Sequence, residues 1–320
     1  AIRDVARLYA TSKASMILWG MGISQLSHGT ASALGLIHLA LLTGHIGRRG
    51  TGLNPLRGQN NVQGTADMGC HPQQGPGYLD LTDADARAVL EKRYGVALDG
   101  KPGLNLVEML DGAARGEVKA LWVVGEDLVQ SDPDTSQVER SLEGLDFLVV
   151  QDLFPTATAE FAHVVLPACS AFEKSGTFTN SERRVQRVRP VVSPFAGSRS
   201  DGRIFCDVMR RFGARQDEYD AERVFGEITE VVPFLAGATW DGLGEHGKPW
   251  PILANGDGTP VLHAETFKCG RGKFHFFPWV ESGELALYQK TFPLVLITGR
   301  LLEQYNSGTM TRRAGINRLV

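Results

Sequence analysis

Residues 44–64 hold the densest set of groups able to grip a ligand: three arginines (Arg48, Arg49, Arg57) and a run of amides (Gln59, Asn60, Asn61, Gln63). An amide offers donors and acceptors together, and a guanidinium offers a planar fork of donors. The same 21 residues include six glycines and only four aliphatic side chains, Ile46, Leu53, Leu56 and Val62. That composition predicts neither a helix nor a strand with a buried face of its own. A glycine-rich backbone can approach a ligand closely, so the segment suits a large, polar, anionic ligand. The competing expectation is an ordinary surface loop. Long loops in compact domains are commonly functional or disordered.

The elements that must position this loop are of α/β type. Ser15–Trp19 reads as a buried strand running into a Gly20-Met21-Gly22 turn. Thr30 is expected to cap a helix through Leu42, with Leu34, Ile37, Leu41 and Leu42 at helical spacing and Gly44 as its stop. A bare Gly-x-Gly after a strand is equally a plain tight turn. Beyond the loop, Cys70 to Tyr78 reads as irregular, 83–94 as a helix, and Asn105 as the cap of a helix through Ala114. Strands follow at 120–124, 147–150 and 163–166, with helices at 135–142, capped by Asp134, and at 156–161. Strands alternating with helices predict a doubly wound, mostly parallel α/β sheet. Its ligands should sit beyond the carboxyl ends of the strands. Gly20-Met21-Gly22, Gly125-Glu126-Asp127 and Gln151-Asp152 all occupy such ends.

Residues 173–200 change character, carrying Arg183, Arg184, Arg187 and Arg189. They form either a solvated face or a positive wall toward an anionic cofactor. Amphipathic helices are expected at 202–212 and 221–231, a connector folded over the body at 236–260, and strands at 271–279 and 294–298. The domain plan is the end of a first α/β cofactor domain (1–58), a second one (59–232), a connector (233–265) and the start of a β-rich domain (266–320).

With 320 residues and a formal net charge of −3, the chain is long enough for two domains and does not present a broad nucleic-acid surface. Cys70, Cys169, Cys206 and Cys269 are scattered. They give no zinc or iron–sulfur spacing and no disulfide framework, and a reducing, cytoplasmic compartment is the default. Cys169 and Cys206, amid apolar neighbours, are expected in the core. The longest apolar stretch, 31–43, is broken by Gly35 and His38 and is too short to span a bilayer. No initiator Met or signal peptide is visible, and Asn317 to Val320 follow what reads as mid-domain sequence. A fragment of a longer polypeptide is expected.

Residues 47–64, Gly-Arg-Arg-Gly-Thr-Gly-Leu-Asn-Pro-Leu-Arg-Gly-Gln-Asn-Asn-Val-Gln-Gly, resemble the molybdenum- or tungsten-dependent formate dehydrogenase catalytic subunit, within the molybdopterin oxidoreductases. So do Trp19–Gln25, Val124–Asp127, Val149–Ala159, Val164–Ala168, Glu182–Gln186 and Ile297–Arg300, in the family's order. Arg57 to Gly64 is the specific part, favouring formate over nitrate or dimethyl sulfoxide as substrate.

The resemblance implies two molybdopterin guanine dinucleotides, which supply four sulfur ligands to one Mo or W, cradled by two related α/β domains. It implies that Met21, Gln25 and Gln59 touch one cofactor. Asp127, Ser131 and Gln151 would hold a guanine or ribose. Arg300, Gln304 and Asn306 would contact a pterin from the closing domain, with Gln304 standing where the family often has His. Arg57 is implied as the catalytic residue, its fork holding formate while formate loses a hydrogen and two electrons and becomes carbon dioxide.

The family's metal-ligating Cys or selenocysteine and its 4Fe-4S cluster lie upstream of the matched region. No metal ligand is therefore assigned here: Cys70-His71 has the right residue types in the wrong place. The segment alone is expected to be inactive. Its partners would be formate and an electron-transfer subunit or acceptor, without nucleic acid or direct membrane insertion. The alternatives are another molybdopterin oxidoreductase, or a non-catalytic cofactor-binding scaffold.

Overall fold

The computed structural model describes residues 1–276, 278, 283, 287–289, 291–294, 296, 299 and 301–315. Helix α1 (Ile2–Thr11) leads into strand β1 (Met16–Trp19), the one-turn helix α2 (Met21–Ser24) and helix α3 (Gly29–Leu42). Gly20-Met21-Gly22, expected as a turn, therefore opens a helical turn. The cap of α3 also differs from expectation: His28, not Thr30, precedes the helix, and no side chain caps it. A Cβ on Gly29 would stand 2.1 Å from the Ser24 carbonyl oxygen. Glycine lets the chain fold that tightly, and the helix starts there.

The glycine-rich segment is more structured than its composition predicts. It supplies strand β2 (Gly52–Pro55), which pairs in parallel with β1 in the register Met16↔Gly52 to Trp19↔Pro55. No residue of β2 is buried, so the backbone ladder, rather than an apolar face, makes the strand. Helix α4 (Val62–Asp67) follows and buries Gln63, Gly64 and Asp67, a polar face. Next come the short strands β3 (Gln74–Gly75), within the stretch expected to be irregular, and β4 (Leu79–Asp80), just past it, which pair antiparallel.

Helix α5 (Ala84–Tyr94) is capped by Asp83. Helix α6 (Leu106–Ala114) starts at Asn105 in a capping box with Glu108. Strand β5 (Ala120–Val124), helix α7 (Leu128–Ser131), helix α8 (Thr135–Glu143), strand β6 (Phe147–Asp152) and strand β7 (Val164–Pro167) then form a parallel sheet in the order β5-β6-β7. Asp134 accepts from the Gln137 N–H as the expected cap of α8. Leu148 and Val150 of β6 and Val123 of β5 pack with Leu110, Val138 and Leu142 of α6 and α8. Side chains alternate along strands, so Trp122 and Gln151 face the other way. There they meet helix α9 (Asp201–Arg211) through Phe205, 5.2 Å from Trp122 between ring centroids, and through Asp201, 2.8 Å from Gln151. Helix α9 thus covers part of the second face of the sheet.

The arginine-rich segment forms the antiparallel pair β8 (Gly176–Thr179) and β9 (Arg184–Val188), which was not foreseen. Helix α10 (Ala221–Val231) follows α9, and β10 (Lys248–Pro249) adds to β9. The stretch expected as a connector contributes side chains to a second core. Leu235, Ala238, Leu243 and Ile252 are buried with Leu90, Val185, Phe225 and Val232. Past residue 266 the described residues form no strand. Leu294 and Leu296, expected in a buried strand, are 88% and 89% exposed and have no strand partner among the described residues. Phe277, Trp279, Val295, Ile297, Thr298 and Arg300 lie outside the described residues. No helix among the described residues is long and apolar enough to cross a membrane.

Candidate functional site

The carboxyl ends of β1 and β2, strand β5 and the turn after it line one cleft of about 1150 Å³. Strand β1 delivers Gly20 and Met21 to it, β2 delivers Leu56 and Arg57, and β5 leads through the Gly125 turn to Glu126. The Leu56 N–H bonds to the Trp19 carbonyl at 2.7 Å, which extends the β1–β2 ladder to the doorstep of Arg57. Seven of the residues singled out from sequence line this cleft: Met21, Gln25, Arg57, Gln59, Ser131, Gln304 and Asn306. Gly299 and Leu301 line it too, whereas Arg300 between them lies outside the described residues. Ser131 donates to Glu126 at 2.6 Å, and Gln304 accepts from Thr311 at 2.6 Å. A Cβ on Gly58 would come within 3.1 Å of the Asn306 side-chain oxygen, so the bare backbone there admits the later segment.

Asp127 and Gln151 do not line the cleft. Asp127 sits between the lining residues Glu126 and Leu128 with its side chain turned inward, 3% exposed. Its Oδ1 accepts from the Thr158 N–H at 3.1 Å and hydroxyl at 2.8 Å. Gln151 is fully buried and donates to Asp201 at 2.8 Å. Each keeps one oxygen, Asp127 Oδ2 and Gln151 Oε1, buried without a protein partner. Such orphans are rare and call for an explanation. Both are acceptors, suited to a ligand edge rich in N–H, as a guanine offers. The cleft itself is larger than most small-molecule pockets and has room for a large ligand, but both of these oxygens are buried away from it.

Around Arg57 the fold builds a polar network absent from the sequence-based site. Arg57 donates to Gln63 Oε1 from Nε at 3.1 Å and from Nη2 at 2.9 Å. Gln63 donates to Asp67 at 2.8 Å and to the Tyr78 hydroxyl at 3.0 Å, and Tyr78 donates to Asp67 at 2.7 Å. Trp250 Nε1–H reaches the other Asp67 oxygen at 2.9 Å. Burial pushes the Asp67 carboxyl above the usual carboxylate range, against the pull of Tyr78, Gln63, Trp250 and the nearby Arg57 charge. Burial and the Asp67 carboxylate push the Tyr78 phenol well up. The four-residue spacing of Gln63 and Asp67 on α4 was the available signal. Tyr78 and Trp250 gave none, because the fold alone brings them in. Arg57 also borders a second cavity of about 580 Å³, with Gln63, Tyr78, Arg183, Arg184 and Trp250 on its walls.

The arginine-rich segment is neither a plain solvated face nor a free cationic wall. Arg183 is bonded to the carbonyls of Trp250 and Thr259, the latter at 3.2 Å, and lies over the Trp250 ring. Arg184 donates to Glu182 at 2.7 Å and to the Gly247 carbonyl at 3.1 Å, and Arg187 pairs with Asp241 at 3.1 Å.

Among the described residues no three His, Cys, Asp or Glu side chains come together as a metal site. Cys70 is exposed, and His71 accepts from the Gln73 N–H at 3.2 Å. Cys169 and Cys206 are buried, as expected. His45 is 1% exposed. Its Nδ1 accepts from Arg48 at 3.1 Å, which leaves Nε2 to donate to the Tyr9 carbonyl at 2.8 Å.

Residues 5–211 match the molybdopterin oxidoreductase family model. The chain is 42% identical over 316 residues to the F420-dependent formate dehydrogenase subunit alpha of Methanocaldococcus jannaschii, covering 98% of this chain and 46% of that protein. It is 38% identical over 316 residues to a putative formate dehydrogenase of Bacillus subtilis, covering 98% of this chain and 32% of that protein. The chain therefore spans half or less of the length of these relatives. Among solved structures it is similar in fold to acetylene hydratase from Pelobacter acetylenicus, with a TM-score of 0.60 and 18% identity over 99% of this chain and 48% of that one.

Proposed function

We propose, since this chain belongs to the molybdopterin oxidoreductase family, that it is part of a formate dehydrogenase catalytic subunit and that Arg57 is the anchor for formate. The observation that carries this is the position of Arg57. Its guanidinium stands just past the shared mouth of β1 and β2, on the wall of the large cleft, and among the described residues only two of its N–H groups are bonded to protein. A guanidinium has five, so three remain for a ligand, enough for the two-point grip a carboxylate prefers.

Two molybdopterin guanine dinucleotides carrying Mo or W would occupy the cleft. Met21, Gln25 and Gln59 would lie against one, and Gln304, Asn306 and Arg300 against a pterin. Ser131, Asp127 and Gln151 would hold a guanine or ribose; Ser131 already lines the cleft, whereas the Asp127 and Gln151 side chains must turn out of their contacts with Thr158 and Asp201 to reach it. When bound, the metal would supply the acceptor for the two electrons that formate gives up in becoming carbon dioxide and a proton. This chain's part is to bind and orient. Arg57 neutralises the carboxylate and fixes its plane, so that the C–H bond points away from the guanidinium into the cleft. The electrons would pass on to a partner subunit or acceptor.

The test is Arg57→Lys in the full-length protein, assayed with formate and a dye acceptor. Lysine keeps the charge and loses the fork, so kcat/KM for formate should fall by roughly 10- to 100-fold, the equivalent of one charge-assisted hydrogen bond. Unchanged kcat/KM would remove Arg57 from the site. Faster turnover with nitrate than with formate would point to a different oxidoreductase of the same family.

A further inference from the structure

Gln63 decides where the Arg57 guanidinium points. Gln63 and Asp67 stand four residues apart on α4, so they share one face, and both are buried, at 7% and 1% exposure. Both hydrogens of the Gln63 amide are committed, one to Asp67 at 2.8 Å and one to the Tyr78 hydroxyl at 3.0 Å. Tyr78 in turn gives its own hydrogen to Asp67, and Trp250 satisfies the second Asp67 oxygen. Only Oε1 of the amide is left to face Arg57, and it takes both Nε and Nη2. Turning the amide over would set donors against donors and an oxygen against a carboxylate. Its orientation is therefore fixed from behind by two partners, Asp67 and Tyr78, and Trp250 holds Asp67 in turn.

The acceptor is also neutral. A carboxylate at this position would pair with the guanidinium as a fork and occupy the charge that an incoming carboxylate needs. An amide oxygen fixes the plane of the guanidinium without cancelling its charge. The negative group, Asp67, is kept one side chain further back.

We propose that Gln63, held by Asp67, Tyr78 and Trp250, is a positioning residue that presents Arg57 to a small carboxylate with its charge intact; this rests on the reading of Arg57 as the formate anchor. Gln63→Leu removes the acceptor at similar volume. Gln63→Glu keeps the shape and adds charge. The new carboxylate would face Arg57 on one side and Asp67 and Tyr78 on the other, with Glu182, Arg183 and Arg184 lining the same cavity. Ionised, it competes with formate. Protonated at lower pH, it becomes a neutral acceptor again.

The experiment compares both variants and Arg57→Lys with the parent full-length protein. KM and kcat for formate are measured across pH. Separately, the stabilisation that formate confers without an electron acceptor is read as a shift in unfolding midpoint. Both Gln63 variants should raise KM at neutral pH by roughly tenfold or more, with a smaller fall in kcat, and should shrink the formate-induced shift. For Gln63→Glu the ratio of variant to parent KM should fall back toward one as pH is lowered, which a merely structural role would not produce. The proposal is overturned if the Gln63 variants keep the parent KM and shift while Arg57→Lys loses them. It is equally overturned if the Gln63→Glu ratio is flat with pH, or if kcat and bound pterin fall with KM unchanged. If Arg57→Lys itself leaves KM and shift unaltered, the assignment of Arg57 fails, and this proposal fails with it.

Discussion

Replacing Trp250 by Phe isolates one bond in the buried network. The indole N–H is the donor to Asp67 Oδ2, at 2.9 Å. The ring also packs on Phe234, 4.5 Å between centroids, and lies under Arg183, 5.3 Å from the centroid. Phenylalanine keeps most of that ring contact and loses the donor. Asp67 is 1% exposed, so no water replaces the N–H without rearrangement. A hydrogen bond to a charged group contributes about 1.5–3 kcal/mol, and the smaller ring gives up roughly another 1 kcal/mol of apolar burial. The expected loss at alkaline pH is therefore about 2–4 kcal/mol.

The loss should depend on pH, with a definite sign. Burial raises the Asp67 carboxyl above its ordinary range. Its contribution to stability is thus fully present below the unfolded value, near pH 4, and is lost as pH rises through the folded one. Trp250 pulls the folded value down by bonding the ionised form. Without it the folded value climbs further, and more stability is lost on going to high pH. Urea unfolding of the full-length protein, followed by far-ultraviolet circular dichroism at pH 8 and pH 4.5, should give a larger midpoint difference between parent and Trp250→Phe at pH 8. Equal differences at the two pH values, or none, would refute the account of Asp67 as a buried, strained carboxylate held by Trp250.

Two further changes test the packing that carries the site. Leu148→Ala opens a cavity at a fully buried position of the β6 core and should cost about 2–5 kcal/mol in urea unfolding. Gly237→Ala places a methyl 1.8 Å from the Leu253 carbonyl oxygen; the backbone must move, and a loss of about 1–3 kcal/mol or more is expected in the same assay.

What could be read in the sequence was local. Asn105 and Asp134 announce helix starts from the local sequence alone, and each caps the helix it precedes. The strand at 120–124 is a short apolar run with turns at both ends, and it stands where expected. The strand ends also pointed to the cleft, because a parallel sheet places its ligands there whatever the loop chemistry. What failed was set by distant partners. The β8–β9 pair carries arginines whose acceptors are the Trp250, Thr259 and Gly247 carbonyls, 63–76 residues away. Strand β2 has no apolar face, so no pattern betrays it, and only its ladder with β1 makes it a strand. Asp127 and Gln151 do stand at the anticipated strand ends, with their side chains bonded to Thr158 and Asp201.

The odd composition of the segment around Arg57 has a physical cause in this arrangement. Where the fold immobilises an arginine for structure, it gives it a carboxylate or several carbonyls. Arg93 has Glu227 and Glu230, Arg199 has Asp207, Arg187 has Asp241, and Arg48 has two carbonyls and His45. Among the described residues Arg57 forms no ion pair, and its side chain has a single acceptor atom, the Gln63 amide oxygen. Holding a cation with so little requires the holder to be rigid. That rigidity comes from the start of α4, where the Asn61 side chain accepts from the Thr179 N–H at 2.9 Å and a Cβ on Gly64 would strike that same Asn61 oxygen at 2.2 Å. Glycine at 64 lets Asn61 pin α4 to β8, α4 fixes Gln63, and Gln63 fixes Arg57. Amides and glycines are therefore what an incompletely satisfied guanidinium needs beneath it. A carboxylate in their place would hold the arginine more tightly and leave it less able to bind an anion.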